Sequence, residues 1–231
     1  MRATSIFSAL LSVTTTLTSP IDLSTNADAD ASSPPSNEIT INSASTSGSG
    51  CPRHSVAITI SPERTAITLG FDEFQTYLGR RFADSDRDKN CQIRLNLFYP
   101  GGYTFAVLDA TYHGYAQLDP GVTGSLSTSY SFAGGRPDRR SGRTESTTQT
   151  SISGGGGYEA GGVYTKTDAI PVNSRVRAPC GKNATMVIRT RINLEAGGGG
   201  GEGEGEGMLT GDDATFALTQ QMRIEWETCV E

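Results

Sequence analysis

Apolar residues that recur at every second position restrict this chain more than any other feature. Met186, Ile188, Thr190, Ile192 and Leu194 alternate with Val187, Arg189, Arg191 and Asn193. A repeat of two is that of a pleated strand, whose successive side chains point to opposite faces; a helix repeats near 3.6. The same spacing runs through Cys91, Ile93, Leu95 and Leu97, and through Leu126, Thr128, Tyr130 and Phe132, where serines fill the gaps. It returns at the end, where Phe216, Leu218, Met222, Ile224 and Trp226 share a face opposite Arg223, Glu225 and Glu227. Val56–Ile60 and Thr65–Phe71, joined by the turn Ser61–Arg64, read as a hairpin. Tyr103–Gln117 carries apolar residues on both faces and reads as a central strand, and Tyr158–Ile170 as a return to the sheet. Only Phe71, Phe74, Tyr77 and Leu78 suggest one or two helical turns. Arg80–Asn90 reads as a charged loop, Gly134–Gly162 as a long mobile insertion with one edge strand at most, and Gly197–Gly207 as a flexible connection. About eight short strands separated by Gly, Pro and Asp turns predict an all-β fold, an antiparallel sandwich or jelly-roll-like arrangement.

Cysteine usage places this sandwich in an oxidising compartment. Cys51, Cys91, Cys180 and Cys229 lie far apart, with no CxxC, and only His54 and His113 could join them in a metal site. An even, widely spaced set reads as two disulfides. Antiparallel pairing of Met186–Leu194 with Phe216–Trp226 would join Cys180 to Cys229 and leave Cys51 with Cys91. The rival joins Cys51 to Cys229 and Cys91 to Cys180, and follows if the first and last strands are neighbours. At the N-terminus, Arg2 precedes the apolar run Ile6–Val13, so residues 1–19 read as a secretory signal peptide. Residues 20–50, rich in Ser, Thr and Pro, read as a disordered linker, and 51–231 as the secreted β-sandwich domain. Asn183-Ala184-Thr185 is an N-glycosylation acceptor.

The composition excludes several partners. The net charge is −6, so no basic surplus suggests nucleic acid, and half of the excess lies in the first fifty residues. No apolar run approaches the roughly 20 residues of a membrane span.

Chemistry-bearing candidates each have a plainer reading. Gly198-x-Gly200-x-x-Gly203 has the spacing of a dinucleotide loop. It lacks a following helix, and Glu202, Glu204 and Glu206 would repel a diphosphate. That acidic run lacks the fixed spacing of a calcium loop. Glu225 and Glu227 share a strand face as a glycosidase pair could, but Arg223 beside them suggests a solvated charged face. Asp72-Glu73 is weaker still. His54 and His113 have no nucleophile motif around them. The expectation is therefore no catalytic residue, no metal and no cofactor. Tyr99, Tyr103, Tyr112 and Tyr115, with Tyr130 and Trp226, are the best candidates for an aromatic binding surface, although packing in the core is the favoured reading for them. Arg136, Arg139, Arg140 and Arg143 form a basic loop, expected to be solvated.

Several blocks carry a resemblance. Gly50-Cys51-Pro52 leads into Ser55-Val56, followed by Phe71-Asp72-x-Phe74 and Lys89-Asn90-Cys91-Gln92-Ile93-x-Leu95-x-Leu97. Then come Tyr99-Pro100-x-Gly102, Tyr112-x-Gly114-Tyr115-Ala116-x-Leu118-Asp119-x-Gly121-Val122, Ala178-Pro179-Cys180-Gly181 and Ile224-x-Trp226-x-x-Cys229. In order and spacing this resembles the domain of unknown function 4360 family of small secreted proteins, mainly of filamentous fungi, over about residues 48–230. The resemblance implies secretion and four paired cysteines, and brings no activity. His54 stands where the resemblance leads one to expect glycine. The functional expectation is a non-enzymatic extracellular or cell-wall-associated module that binds glycan. The alternative is a host-directed effector with a host protein as partner; a hydrolase ranks below both.

Overall fold

The computed structural model describes residues 33–134, 137–155, 157–181, 183–197, 205–209 and 218–229. The expected signal segment, the linker before residue 33, Phe216 and the middle of the Gly/Glu run lie outside these residues.

The described residues form twelve strands. In chain order they are β1 (Thr40–Ser47), β2 (Val56–Ile60), β3 (Ala66–Phe71), β4 (Thr76–Leu78), β5 (Asp88–Phe98) and β6 (Tyr103–Leu118). Then follow β7 (Val122–Phe132), β8 (Glu145–Ser153), β9 (Gly162–Ala169), β10 (Asn183–Ala196), β11 (Gly207–Leu209) and β12 (Leu218–Thr228). One sheet has the order β1-β5-β10-β7-β8. The other runs β2-β3-β12-β6-β11-β4, with β9 also paired to β6. Every pairing is antiparallel. The two inner faces meet in one core, as the period-two pattern requires.

Four strands go beyond the expected eight. β8 is the edge strand allowed for in the insertion, and β11 takes up the end of the Gly/Glu run. β4 stands where helical turns are expected. Its three residues pair with β11, and Phe71 and Phe74 are both buried with ring centroids 5.1 Å apart. A repeat of three here reflects a bend between strands. β1 corrects the linker: Thr40–Ser47 pairs along β5, and Ile39 just before it is buried. Its own side chains, TINSASTS, are mostly exposed, so no apolar alternation marks it.

β6 owes its two apolar faces to a β-bulge. Its register against β12 shifts between Arg223 and Ile224, which pair with Asp109 and Val107 and leave Leu108 unpaired. Before the bulge, Tyr103, Phe105 and Val107 face the core; after it, Ala110, Tyr112, Ala116 and Leu118 do. One extra residue switches the phase of the alternation.

The disulfides are Cys51–Cys91 and Cys180–Cys229, with Cα–Cα distances of 5.3 and 5.9 Å. Their connectivity is the first of the two expected, but its premise fails: β10 and β12 lie in different sheets. Instead, the strap between β9 and β10 runs past the start of β6. The Ala178 amide donates to the Phe105 carbonyl at 2.8 Å, and the Cys229 amide to the Gly102 carbonyl at 2.8 Å. Both cysteines thus meet beside the β5–β6 turn. Closing loops of 40 and 49 residues, each bridge contributes about 3–4 kcal/mol by limiting the unfolded chain.

Candidate functional site

Most of the candidate aromatics pack in the core and form no binding surface. Tyr99 and Tyr112 are fully buried, as are Tyr130 and Trp226 to within a few per cent. Tyr99 packs edge-on against Phe105 and Trp226, and its hydroxyl donates to the Pro179 carbonyl at 2.6 Å. Burial raises its pKa well above the ordinary phenol value. Tyr112 anchors a buried polar chain linking the sheets. Its hydroxyl is 2.8 Å from both Thr128 Oγ1 and Thr148 Oγ1, and Thr128 is 3.1 Å from Thr190. Thr190 donates to Gln220 Oε1 at 3.1 Å, and Gln220 Nε2 donates to Tyr130 Oη at 2.9 Å. Tyr103 packs against the edge of the core. Tyr115 lies on the outer face, half-buried and folded over Gly161, where a Cβ would come within 1.7 Å of its hydroxyl.

The acidic pair on β12 is tied down by arginines. Arg175 Nη1 lies 3.4 Å from Glu225 Oε2. Arg177 Nη2 lies 3.1 Å from Glu227 Oε1, and Arg140 Nη1 lies 2.5 Å from Glu227 Oε2. Asp138 accepts from the Arg177 amide at 3.2 Å, fastening the same loop. Arg140 of the basic loop is thus a clamp. Arg139 and Arg143 are exposed, and Arg136 lies outside the described residues, as does the 198–203 glycine pattern. Asp72 and Glu73 are exposed in the bend before β4. His113 Nδ1 lies 2.9 Å from Thr165 Oγ1 on an exposed sheet face. Among the described residues no three His, Cys, Asp or Glu side chains gather as a metal site would require.

A different region forms a groove: the outer face of the five-stranded sheet. Outward positions of β7 are Thr123, Ser125, Ser127, Ser129 and Ser131, all short. β10 on one side raises Arg189 and Arg191, and β8 on the other raises Glu145, Thr147 and Gln149. Low side chains between tall ones make a trough. Two strand spacings set its width at about 10 Å, and Ser125 to Ser131 gives a length of about 20 Å. The open depression holds about 400 Å³ and is lined by Asn90, Gln92, Ser127, Ser129, Glu145, Thr147, Arg189 and Arg191.

Its charges are internally matched. Arg189 Nε donates to Gln92 Oε1 at 3.0 Å, and its Nη1 lies 3.6 Å from Glu145 Oε2. Arg191 Nε donates to Asp88 Oδ1 at 2.8 Å, with a second bond from Nη2 to Oδ2. The hydrogen bond from Arg191 holds the Asp88 carboxyl below its ordinary range, and Asp88 raises Arg191 in return. The trough therefore presents planar carboxamide, carboxylate and guanidinium groups beside a hydroxyl floor, which the Arg189–Glu145 pair crosses from β10 to β8, with no net charge from these two pairs. Its floor was visible in the sequence as alternating serines; its walls were not, because they come from strands joined only by the fold.

Residues 37–229 match the family described as "Domain of unknown function (DUF4360)". The chain belongs to the DUF4360 family. A relative from Arthroderma benhamiae, described as an "Uncharacterized secreted protein", is 33% identical over 182 residues, covering 79% of this chain and 68% of that one. Two solved structures show a remote similarity to this DUF4360 chain. TmCBM61 in complex with beta-1,4-galactotriose matches at a TM-score of 0.23 and 10% identity, over 82% of this chain and 90% of that one. The C-terminal CBM6 of LamC from Zobellia galactanivorans matches at 0.23 and 11%, over 78% and 100%. Superpositions this loose fix no equivalence between residues. Among the described residues of this DUF4360 protein, no helix is long and apolar enough to cross a membrane.

Proposed function

We propose that this chain is a secreted, non-enzymatic module that binds an extracellular polysaccharide, cell-wall glycan foremost, in the trough along β7. The observation that carries the reading is the trough itself: a groove of single-chain width with a serine floor and planar hydrogen-bonding walls. Adjacent hydroxyls of a sugar match planar groups, which can donate or accept two parallel bonds. The matched Arg–Glu and Arg–Asp pairs favour a neutral glycan over a polyanion, since an anion would have to compete for each guanidinium. Secretion is supported by the two disulfides, by the apolar N-terminal run and by the secreted relative. A non-enzymatic role is supported by Glu225 and Glu227, whose ion pairs occupy the carboxylates a hydrolase would need free.

Sedimentation with insoluble chitin, β-glucan and cellulose tests the proposal. Retention on at least one is expected, with a loss of at least tenfold in Ser127→Trp and Ser129→Trp, which fill the floor. Retention that both variants preserve removes the trough as the site. No retention on any polysaccharide removes the glycan reading.

A further inference from the structure

Phe98 is one of only a few large apolar side chains exposed among the described residues, at 37%. It closes β5 on the outward phase, following Leu95 and Leu97, which are buried on the inward phase. Its register partner on β10 is Asn183, the exposed acceptor of the Asn183-Ala184-Thr185 sequence. Residues directly opposite on antiparallel strands hold their Cβ atoms about 5 Å apart on the same face. The asparagine and the aromatic ring therefore stand side by side on the outer surface. Thr185, two residues along, also lies outward, and its Oγ1 accepts from Asn96 Nδ2 at 3.2 Å. A phenylalanine at this position leaves apolar area in water, unless something attached nearby covers it.

We propose that Asn183 carries an N-linked glycan whose first N-acetylglucosamine lies against the ring of Phe98. The inference rests on secretion, as proposed above, and not on the trough. In the transfer, a bond forms between Asn183 Nδ2 and C1 of the first sugar of a lipid-diphosphate-linked oligosaccharide. The C1–oxygen bond to the diphosphate breaks, the lipid diphosphate leaves, and Nδ2 gives up one proton. The apolar C–H face of the sugar then packs on the aromatic face, as sugar rings do on aromatic side chains. Arg189 is six residues further along β10, about 20 Å away, so the glycan sits at one end of the sheet and leaves the trough open.

The full chain is expressed in a filamentous fungal or yeast host and recovered from the medium. Intact mass and glycosidase release should show one glycan, mapped to Asn183 and abolished by Thr185→Ala. Protein that reaches the medium with an unmodified Asn183 overturns the proposal while leaving secretion standing; protein that never reaches the medium overturns secretion and the proposal with it. The stacking half is read from thermal midpoints. Trimming to the first sugar should keep a stabilising shift of about 2 °C, and full removal should lose it. In Phe98→Ser, which lies on the surface, that shift should vanish. An equal shift in Phe98→Ser, or ring-current shifts absent from the first sugar's acetyl signal in the wild type, overturns the contact.

Discussion

His54 holds its backbone at φ 71°, in the left-handed region. That region costs L-residues about 1 kcal/mol or more, with His among the more tolerant and β-branched residues the least. Glycine adopts this conformation at no steric cost. His54→Val should lower stability by about 1–2 kcal/mol in denaturant titration, while His54→Gly should leave it within a few tenths. A second residue-scale test lies in the core. Gln220 is fully buried and bridges Thr190 to Tyr130. Gln220→Met takes one partner from each hydroxyl, Thr190 keeping Thr128 at 3.1 Å, and should lower stability by about 1–2 kcal/mol. Combining it with Tyr130→Phe should cost less than the two single changes added, because both break the same Gln220–Tyr130 bond. Additive losses would mean the chain of bonds does not act as a unit.

At the scale of elements, legibility follows the source of burial. β5, β7, β10 and β12 bury one face against the other sheet, so their alternation is written in their own residues. β1 is held by backbone pairing to β5, by Ile39 and by the Cys51–Cys91 bridge just beyond it, and such support leaves no periodic trace. Tyr112 was legible in principle: it shares parity with Ala110 and Ala116, the inward phase after the bulge. Nothing local in the sequence announces the bulge, so β6 reads as apolar on both faces. The disulfide pairing agrees with the expectation although its strand neighbours do not, because the β9–β10 strap and the end of β12 meet at the start of β6 and so give the same connectivity as strand pairing. The two bridges should also respond differently. Cys51 and Cys91 are buried, whereas Cys180 is exposed. Mild reductant under native conditions should open Cys180–Cys229 first, by mass mapping of alkylated peptides. In the Cys51→Ser/Cys91→Ser variant, amides of residues 43–47 should lose at least tenfold of their exchange protection while β10 keeps its own. Uniform loss across both would show that β1 is integral to the sheet's stability.

At the scale of the molecule, stability against acid is divided between carboxylates of opposite sense. Asp88 sits below the ordinary 3.8 through its hydrogen bond from Arg191. Burial works to raise Asp138, but bonds from Ser141, Arg140 and Arg177 outweigh it and hold that carboxyl low as well. Groups depressed in the fold contribute stability above the unfolded pKa and lose it as pH falls through the folded one. Asp168 behaves the other way. Burial raises it above 3.8, only partly offset by Lys166, and its Oδ2 is buried without a hydrogen-bond partner among the described residues. The fold holds the Asp168 proton more tightly than the unfolded chain does. Its charged form therefore opposes folding at neutral pH, and this opposition fades as pH falls through its raised pKa. Asp168→Asn should accordingly raise the unfolding midpoint at pH 7, and the gain should shrink toward zero near pH 3. Asp138→Asn should do the reverse, losing stability at pH 7 and converging on the wild type in acid. Thermal scans of both variants from pH 3 to 7 check the signs. A gain for Asp168→Asn that is independent of pH would mean the carboxylate's charge is not what the fold opposes.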